Sequence, residues 1–273
     1  MQRDIIGQNR ILSVIDGLTL DTTPRTILLN GLCEGAGEHL VASYLAEHLG
    51  LPVDEITEKI SDEFIDSIYL KPEPVVYVID TVKLDVREQN VILKFIEEPL
   101  KNAYVVLLCD TTDLILNTVL NRCVVWALET YKEQDLEGFL SDKSKKEVIE
   151  IARTPGQVIE FENYDINEML KRALYIISNI HRASFYNILK LINDVDFKGD
   201  APDKFNLGAW LNVIERQITK LLIGDCGNLS PIRLANALAL TIKLNYNSKR
   251  VGIDKQSLYY HYLIDLWETM RGD

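Results

Sequence analysis

The residues that bear most directly on chemistry lie in a glycine-containing segment, residues 32–39 (LCEGAGEH), between an apolar run and a helical pattern. A working phosphate-binding loop has the pattern G-x-x-x-x-G-K-[ST]; its backbone N–H groups hold the phosphates, its lysine neutralises them and its hydroxyl holds magnesium. Gly35 and Gly37 are present, but Glu38 stands at the lysine position and His39 at the hydroxyl position. Because a carboxylate at the lysine position would repel a triphosphate, this segment predicts a degenerate, inactive nucleotide site.

A second candidate is the acid that ends the apolar run at residues 75–80, Asp80. In nucleotide hydrolases an aspartate helps to hold magnesium, and a further polar residue orients the attacking water. Here Thr81 follows Asp80 where a glutamate would be needed. Asp80 is either a remnant of a metal position or a strand-end residue that caps a loop, and both interpretations stay open. We therefore expect a chain that is not an enzyme and has no cofactor of its own.

The bulk composition is that of a globular protein, with 273 residues, 47% of them hydrophobic, and a formal net charge of -12. The negative balance argues against nucleic-acid binding by an overall basic surface, although a local basic groove stays open. The cysteines are scattered without a CxxC pair, so neither a metal site nor a disulfide framework is expected. Without a signal pattern or a long apolar run, we expect a cytoplasmic protein that does not contact a membrane.

Four apolar runs without alternation predict buried strands of a parallel sheet, at residues 26–30, 75–80, 103–108 and 123–128. Helical patterns separate them, at residues 38–49, 53–70 and 86–98. Strand signals end near residue 131, and only helices are expected beyond it. We predict an α/β domain over residues 1–130, a small helical lid over 131–165 and an all-α collar domain over 166–273.

Several segments, in order along the chain, are similar to those of bacterial clamp-loader subunits. Residues 87–99 (REQNVILKFIEEP) resemble the family's "aqNaLLKtLEEPp" segment, and residues 118–123 (TVLNRC) resemble its "T-x-x-SRC" motif. Residues 5–8 (IIGQ), 154–157 (TPGQ) and 229–234 (LSPIRL) are similar to its opening box, lid turn and collar helix. The chain is thereby identified as a member of the AAA+ clamp-loader family of DNA polymerase III.

Within that family, the resemblance implies the delta-prime type of subunit, which lacks ATPase chemistry. The ATP-hydrolysing gamma/tau subunits keep an intact GKT and a DE pair, and they carry an arginine where Gln157 stands here. Delta-prime subunits commonly carry a four-cysteine zinc module, which this chain lacks, so the chain is divergent. The corresponding connection is also short, and we expect that one edge element of the sheet is absent.

The resemblance also assigns residue roles. Arg122, in the motif that is similar to SRC, is expected to act as an arginine finger on ATP bound by an adjacent gamma/tau-type subunit. A set of residues around it is expected to contact neighbouring subunits: Lys94, Glu97, Glu98, Pro99 and Asn121. A contact between Lys94 and DNA phosphate stays open.

The partners that the resemblance implies are gamma/tau-type and delta-type subunits in a hetero-oligomer, with the sliding clamp and primer-template DNA engaged indirectly. The complex would belong to a DNA polymerase III holoenzyme and load clamps in DNA replication. Two alternatives stay open: an AAA+-fold scaffold or adaptor outside the clamp loader, and an unorthodox ATPase that uses Asp80.

Overall fold

A parallel sheet forms the centre of the N-terminal region in a computed structural model of the chain, which describes residues 5–31, 35–57, 59–69, 73–97, 103–193, 206–248 and 254–271. Its five strands are β1 Thr26–Asn30, β2 Val53–Ile56, β3 Val75–Asp80, β4 Ala103–Cys109 and β5 Val124–Ala127. Their order across the sheet is β2-β3-β4-β1-β5, and all neighbours are parallel. Since the chain enters every strand from the same end, the loops after the strands gather at one edge.

Five helices flank this sheet: α1 Asn9–Asp16, α2 Glu38–Leu49, α3 Asp62–Tyr69, α4 Val86–Glu97 and α5 Asn117–Leu120. Alternate residues of the central strands point to opposite faces of the sheet. One face, which includes Ile27 and Leu29, packs with apolar side chains of α1 and α2. The other face, which includes Leu28 and Tyr77, packs with side chains of α3, α4 and α5. Both faces are thus covered, which explains why the strand sequences lack polar alternation.

The stretch that was predicted as one helix over residues 53–70 is a strand followed by a shorter helix, so that prediction was wrong. Val53–Ile56 pairs in parallel with β3 at the sheet edge, and the helix begins at Asp62. An edge strand exposed on one face needs few apolar residues, so VDEI gives a weak strand signal. The expected loss of an edge element was wrong as well, because β2 supplies that edge.

The remaining helices are α6 Glu133–Glu137, α7 Glu147–Ile151, α8 Pro155–Phe161, α9 Ile166–Asn179, α10 Phe185–Asn193, α11 Leu207–Ile223, α12 Pro231–Asn247 and α13 Lys255–Arg271. The fold-class prediction of an α/β domain followed by a helical region is confirmed. Leu234, Leu263 and Leu266 of the C-terminal helices are buried. The hydroxyl groups of Thr241 and Tyr262 share a buried hydrogen bond of 2.8 Å.

The chain separates into two compact units. The first contains residues 1–138 and 153–157, and the second contains residues 139–152 and 158–273. The division into three domains stays a prediction. Within the described ranges, no helix combines the length and apolar character needed to cross a membrane.

Candidate functional site

The described part of the glycine segment follows β1 and leads into α2. Gly35 and Gly37 have φ angles of 75° and 92°, in the left-handed region that favours glycine. The Gly35 carbonyl accepts a hydrogen bond from the Gly156 N–H at 3.1 Å, and the Ala36 carbonyl accepts one from the Tyr131 hydroxyl at 2.7 Å. Hydrogen bonds with Gly156 and Tyr131 of the same unit therefore hold the described part of the loop in place.

Glu38, the first residue of α2, turns its side chain inward where a phosphate-binding loop would carry a cation. The residue is only 7% exposed, and its Oε1 has no hydrogen-bond partner among the described residues. That oxygen lies directly above Gly31, since a Cβ built on Gly31 would stand 1.6 Å from it. Glycine at position 31 thus leaves open the space that the Glu38 carboxyl group occupies.

The surroundings of Glu38 favour its protonated form. Burial, followed by the nearby charges of Asp110 and Asp80, raises the pKa of Glu38 to about 7. Two backbone N–H groups at the start of α2 act in the opposite direction, but burial outweighs them. A helix N-terminus that has an acid at the lysine position and two further acids nearby is poorly suited to hold the phosphates of ATP.

Asp80 and Thr81 make local structural contacts at the end of β3. The Asp80 side chain accepts a hydrogen bond from the Val82 N–H at 3.1 Å and pairs with the Lys83 ammonium at 3.0 Å. The Thr81 hydroxyl is buried and donates to the Leu108 carbonyl at 2.6 Å. Of the two interpretations left open for Asp80, loop capping is therefore present in the structure. Thr81 ties β3 to β4 and carries no carboxylate that could orient water.

His39 and Gln157, which stand where a working ATP site has a hydroxyl residue and an arginine, also make contacts within the chain. His39 is exposed, and its Nδ1 lies 3.6 Å from Glu55 Oε1. Gln157 is buried, and its side-chain oxygen accepts a hydrogen bond from the Arg153 N–H at 2.9 Å. Its own N–H donates to the Thr154 hydroxyl at 3.3 Å. The Gln157 side chain is thus used to close the turn that precedes α8.

Arg122 lies between α5 and β5, and both of its terminal guanidinium nitrogens are engaged. Nη1 donates to the Thr118 carbonyl at 2.8 Å, and Nη2 lies 2.5 Å from Glu97 Oε1. The side chains of Arg122 and Glu97 are 38% and 45% exposed, so a partner can reach the pair. The structure therefore brings together two residues that the sequence assigned to separate roles. Their roles in an assembly stay predictions.

The other predicted interface residues do not all join this pair. The Lys94 ammonium pairs with the Asp62 carboxylate of α3, and both side chains are largely exposed. Asn121 is exposed at the C-terminal end of α5. Glu98 and Pro99 lie outside the described residues.

Sequence reasoning missed three residues of the site. Asp110 directly follows β4, and Asp80 is the last residue of β3. An acid at the carboxyl end of a buried strand was therefore the signal that could have identified Asp110. Tyr131, which supports the loop, lies about a hundred positions from Ala36 and gave no local signal. Gly31 looked like an ordinary loop residue, because the need for glycine comes from the inward orientation of Glu38.

Metal chemistry has little basis in the part of the chain that the structure describes. No group of three or more His, Cys, Asp or Glu side chains there is arranged to hold a metal ion. Cys109, Cys123 and Cys226 are free thiols. Burial raises the pKa of Cys109 to about 12 and that of Cys123 to about 11, which disfavours the thiolate that binds metals.

Comparisons with known proteins relate the chain to replication proteins. The model of a family described as "DNA polymerase III, delta subunit" matches residues 39–132. DNA polymerase III subunit gamma of Buchnera aphidicola subsp. Acyrthosiphon pisum is 27% identical over 257 residues, covering 81% of this chain and 70% of that protein. DNA polymerase III subunit delta' of Haemophilus influenzae is 38% identical over 77 residues, which is 28% of this chain and 24% of that protein.

One solved structure that this chain resembles is a DNA polymerase III gamma subunit-related protein from Thermotoga maritima. The TM-score is 0.46 at 14% identity, over 97% of this chain and 100% of that chain. The matched segment contains β3, α4 and β5 and includes Asp80, Asp110 and Arg122. Gly35, Gly37, Glu38 and Gln157 lie outside it.

Proposed function

We propose that the chain is a non-catalytic clamp-loader subunit of DNA polymerase III, of the delta-prime type; the family match and the relatives named DNA polymerase III subunit gamma and subunit delta' support this proposal. In this proposal it assembles with gamma/tau-type and delta-type subunits and contributes Arg122 to ATP bound by an adjacent gamma/tau-type subunit. Its partners, and the clamp and primer-template DNA on which the assembly acts, are part of the same proposal.

The observation that carries the non-catalytic part is the position of Glu38. ATP binding at a helix N-terminus depends on backbone N–H groups and a cation that together neutralise the phosphates. Here a buried carboxyl group lies at that helix N-terminus, beside Asp80 and Asp110. Ionised, it repels phosphate; protonated, it supplies no positive charge. Neither form replaces the missing lysine.

Thr81 and Gln157 support the same conclusion independently. Both side chains are buried and engaged with the backbone of their own unit. The longer alignment is with a relative named gamma. The choice of delta-prime therefore rests on these replacements and on Glu38, rather than on overall similarity.

The part of the proposal that concerns a neighbour rests on the exposure and chemistry of Arg122. A guanidinium group is permanently charged and presents a planar fork that fits phosphate oxygens. Arg122 lies in the short connection between α5 and β5, and 38% of its side chain is exposed. Arginine fingers supplied in this manner accelerate NTP hydrolysis about 10³- to 10⁵-fold.

Nucleotide binding by the isolated chain tests the non-catalytic part. We expect no saturable binding of a fluorescent ATP analogue, while the same preparation forms a complex with gamma/tau-type and delta-type subunits. Saturable binding that Asp80→Ala abolishes would instead support an ATPase with an unorthodox site. Failure to associate with either kind of subunit would contradict the clamp-loader proposal and favour a scaffold elsewhere.

A further inference from the structure

The ion pair between Glu97 and Arg122 has a consequence for how this chain engages a neighbour. We propose that Glu97 is a positioning residue that restrains Arg122 in the free subunit, so that the guanidinium must exchange this carboxylate for the γ-phosphate of the neighbour's ATP. The inference rests on the proposed function, because it assumes that Arg122 reaches a phosphate.

The restraint is built from two helices of the same unit. Glu97 is the last residue of α4, and Thr118 lies on α5, one turn before Arg122. Nη2 is 2.5 Å from the Glu97 carboxylate and Nη1 is 2.8 Å from the Thr118 carbonyl. The guanidinium is therefore fixed at both terminal nitrogens, and its position depends on the packing of α4 against α5.

The two acceptors are not equivalent toward an incoming phosphate. The Thr118 carbonyl is neutral and orients Nη1 without cancelling the charge of Arg122. The Glu97 carboxylate is an anion that binds a guanidinium fork as phosphate does, so the two anions compete. Glu97 also offsets the positive charge that would attract phosphate. Its removal should therefore favour docking onto an ATP-loaded neighbour.

The exposure of the pair sets the size of the effect. Both side chains are more than a third exposed, and ion pairs of this kind are weak and screened by salt. We therefore expect Glu97→Gln to tighten binding to an ATP-loaded neighbour by about two- to fivefold at low salt. The gain should shrink as ionic strength rises.

The test measures the Kd between this chain and a gamma/tau-type subunit, with and without a non-hydrolysable ATP analogue. Four forms are compared: wild type, Glu97→Gln, Arg122→Ala and the double variant. Glu150→Gln is the matched control, because Glu150 pairs with Lys220 at the same 2.5 Å and both of those side chains are 45% exposed. Glutamine is nearly isosteric with glutamate, and thermal unfolding of each form checks that the fold is retained.

We expect Glu97→Gln to lower the Kd only when the nucleotide is present and only when Arg122 is intact, with no change for Glu150→Gln. Unchanged or weaker binding by Glu97→Gln, while Arg122→Ala weakens nucleotide-dependent binding, would overturn the restraint and leave the proposed function intact. Tightening that persists in the Arg122→Ala background would also overturn it. If Arg122→Ala has no effect with nucleotide present, the arginine-finger proposal itself fails.

Discussion

Replacing the buried Glu38 by glutamine should change how the stability of the chain depends on pH. The pKa of Glu38 is about 7 in the folded chain, compared with an ordinary value of 4.5, chiefly because the carboxyl group is buried. Between pH 4.5 and 7 the folded state therefore holds a proton that the unfolded state has released. The free energy of unfolding falls as pH rises through this range, and above pH 7 the full penalty of burying the carboxylate is present.

The size of this penalty follows from the two pKa values. At about 1.4 kcal/mol for each pKa unit, the difference between 4.5 and about 7 corresponds to about 3 kcal/mol. Most of it, roughly 2 to 3 kcal/mol, develops between pH 5 and pH 8. Because glutamine cannot ionise, Glu38→Gln should gain stability relative to wild type by this amount over the same interval.

Urea unfolding at pH 5, 6, 7 and 8 measures the effect, with the difference between variant and wild type followed against pH. Glu47→Gln is the matched control, since Glu47 lies on the same helix but is exposed, and its curve should run parallel to that of wild type. A Glu38→Gln curve that also runs parallel to wild type would refute the assignment of Glu38 as a buried acid with a raised pKa.

Two further substitutions test the contacts at the loop before α2 and at the end of β3. Gly35→Ala should be more destabilising than Gly50→Ala, by at least about 1 kcal/mol in urea unfolding. Both glycines have a left-handed φ, but only at Gly35 would the new Cβ meet another atom, the Gly156 Cα at 2.7 Å. Equal losses of unfolding free energy in the two variants would contradict this contact. Thr81→Val should lower the free energy of unfolding by about 1 to 2 kcal/mol, because the buried Leu108 carbonyl loses the hydroxyl that donates to it. Thr81→Ser keeps a hydroxyl group and should retain most of that stability. Equal stability of both Thr81 variants would show that the hydroxyl is not needed.

The central strands could be predicted from sequence because their burial on both faces leaves continuous apolar runs. The edge strand could not, since Val53–Ile56 has mixed character and is defined by its pairing with β3 rather than by its own composition. Apolar residues spaced three or four apart, such as Ile56 and Ile60, suited a helix equally well. Only the partner strand decides between the two structures.

The sequence places Glu38 at the position where a phosphate-binding loop has lysine, but it does not predict the inward orientation of the Glu38 side chain. Orientation depends on the space above Gly31 and on the acids that end β3 and β4, which the fold brings together from distant positions. The same limitation applies to Arg122. Its motif predicted a role in an assembly, whereas its contact with Glu97 depends on the packing of α4 against α5.

The central claim is that this chain contributes Arg122 to ATP hydrolysis by a neighbour. The most direct measurement is ATP hydrolysis by a reconstituted loader, stimulated by clamp and primer-template DNA, with wild-type chain, Arg122→Ala or Arg122→Lys. The control is Arg10→Ala, which removes another exposed arginine of the same unit. We predict that both Arg122 variants assemble, but that hydrolysis at the adjacent site falls by about 10³-fold or more, since lysine retains the charge without the planar fork. Full-rate hydrolysis by an assembled Arg122→Ala loader would contradict the account.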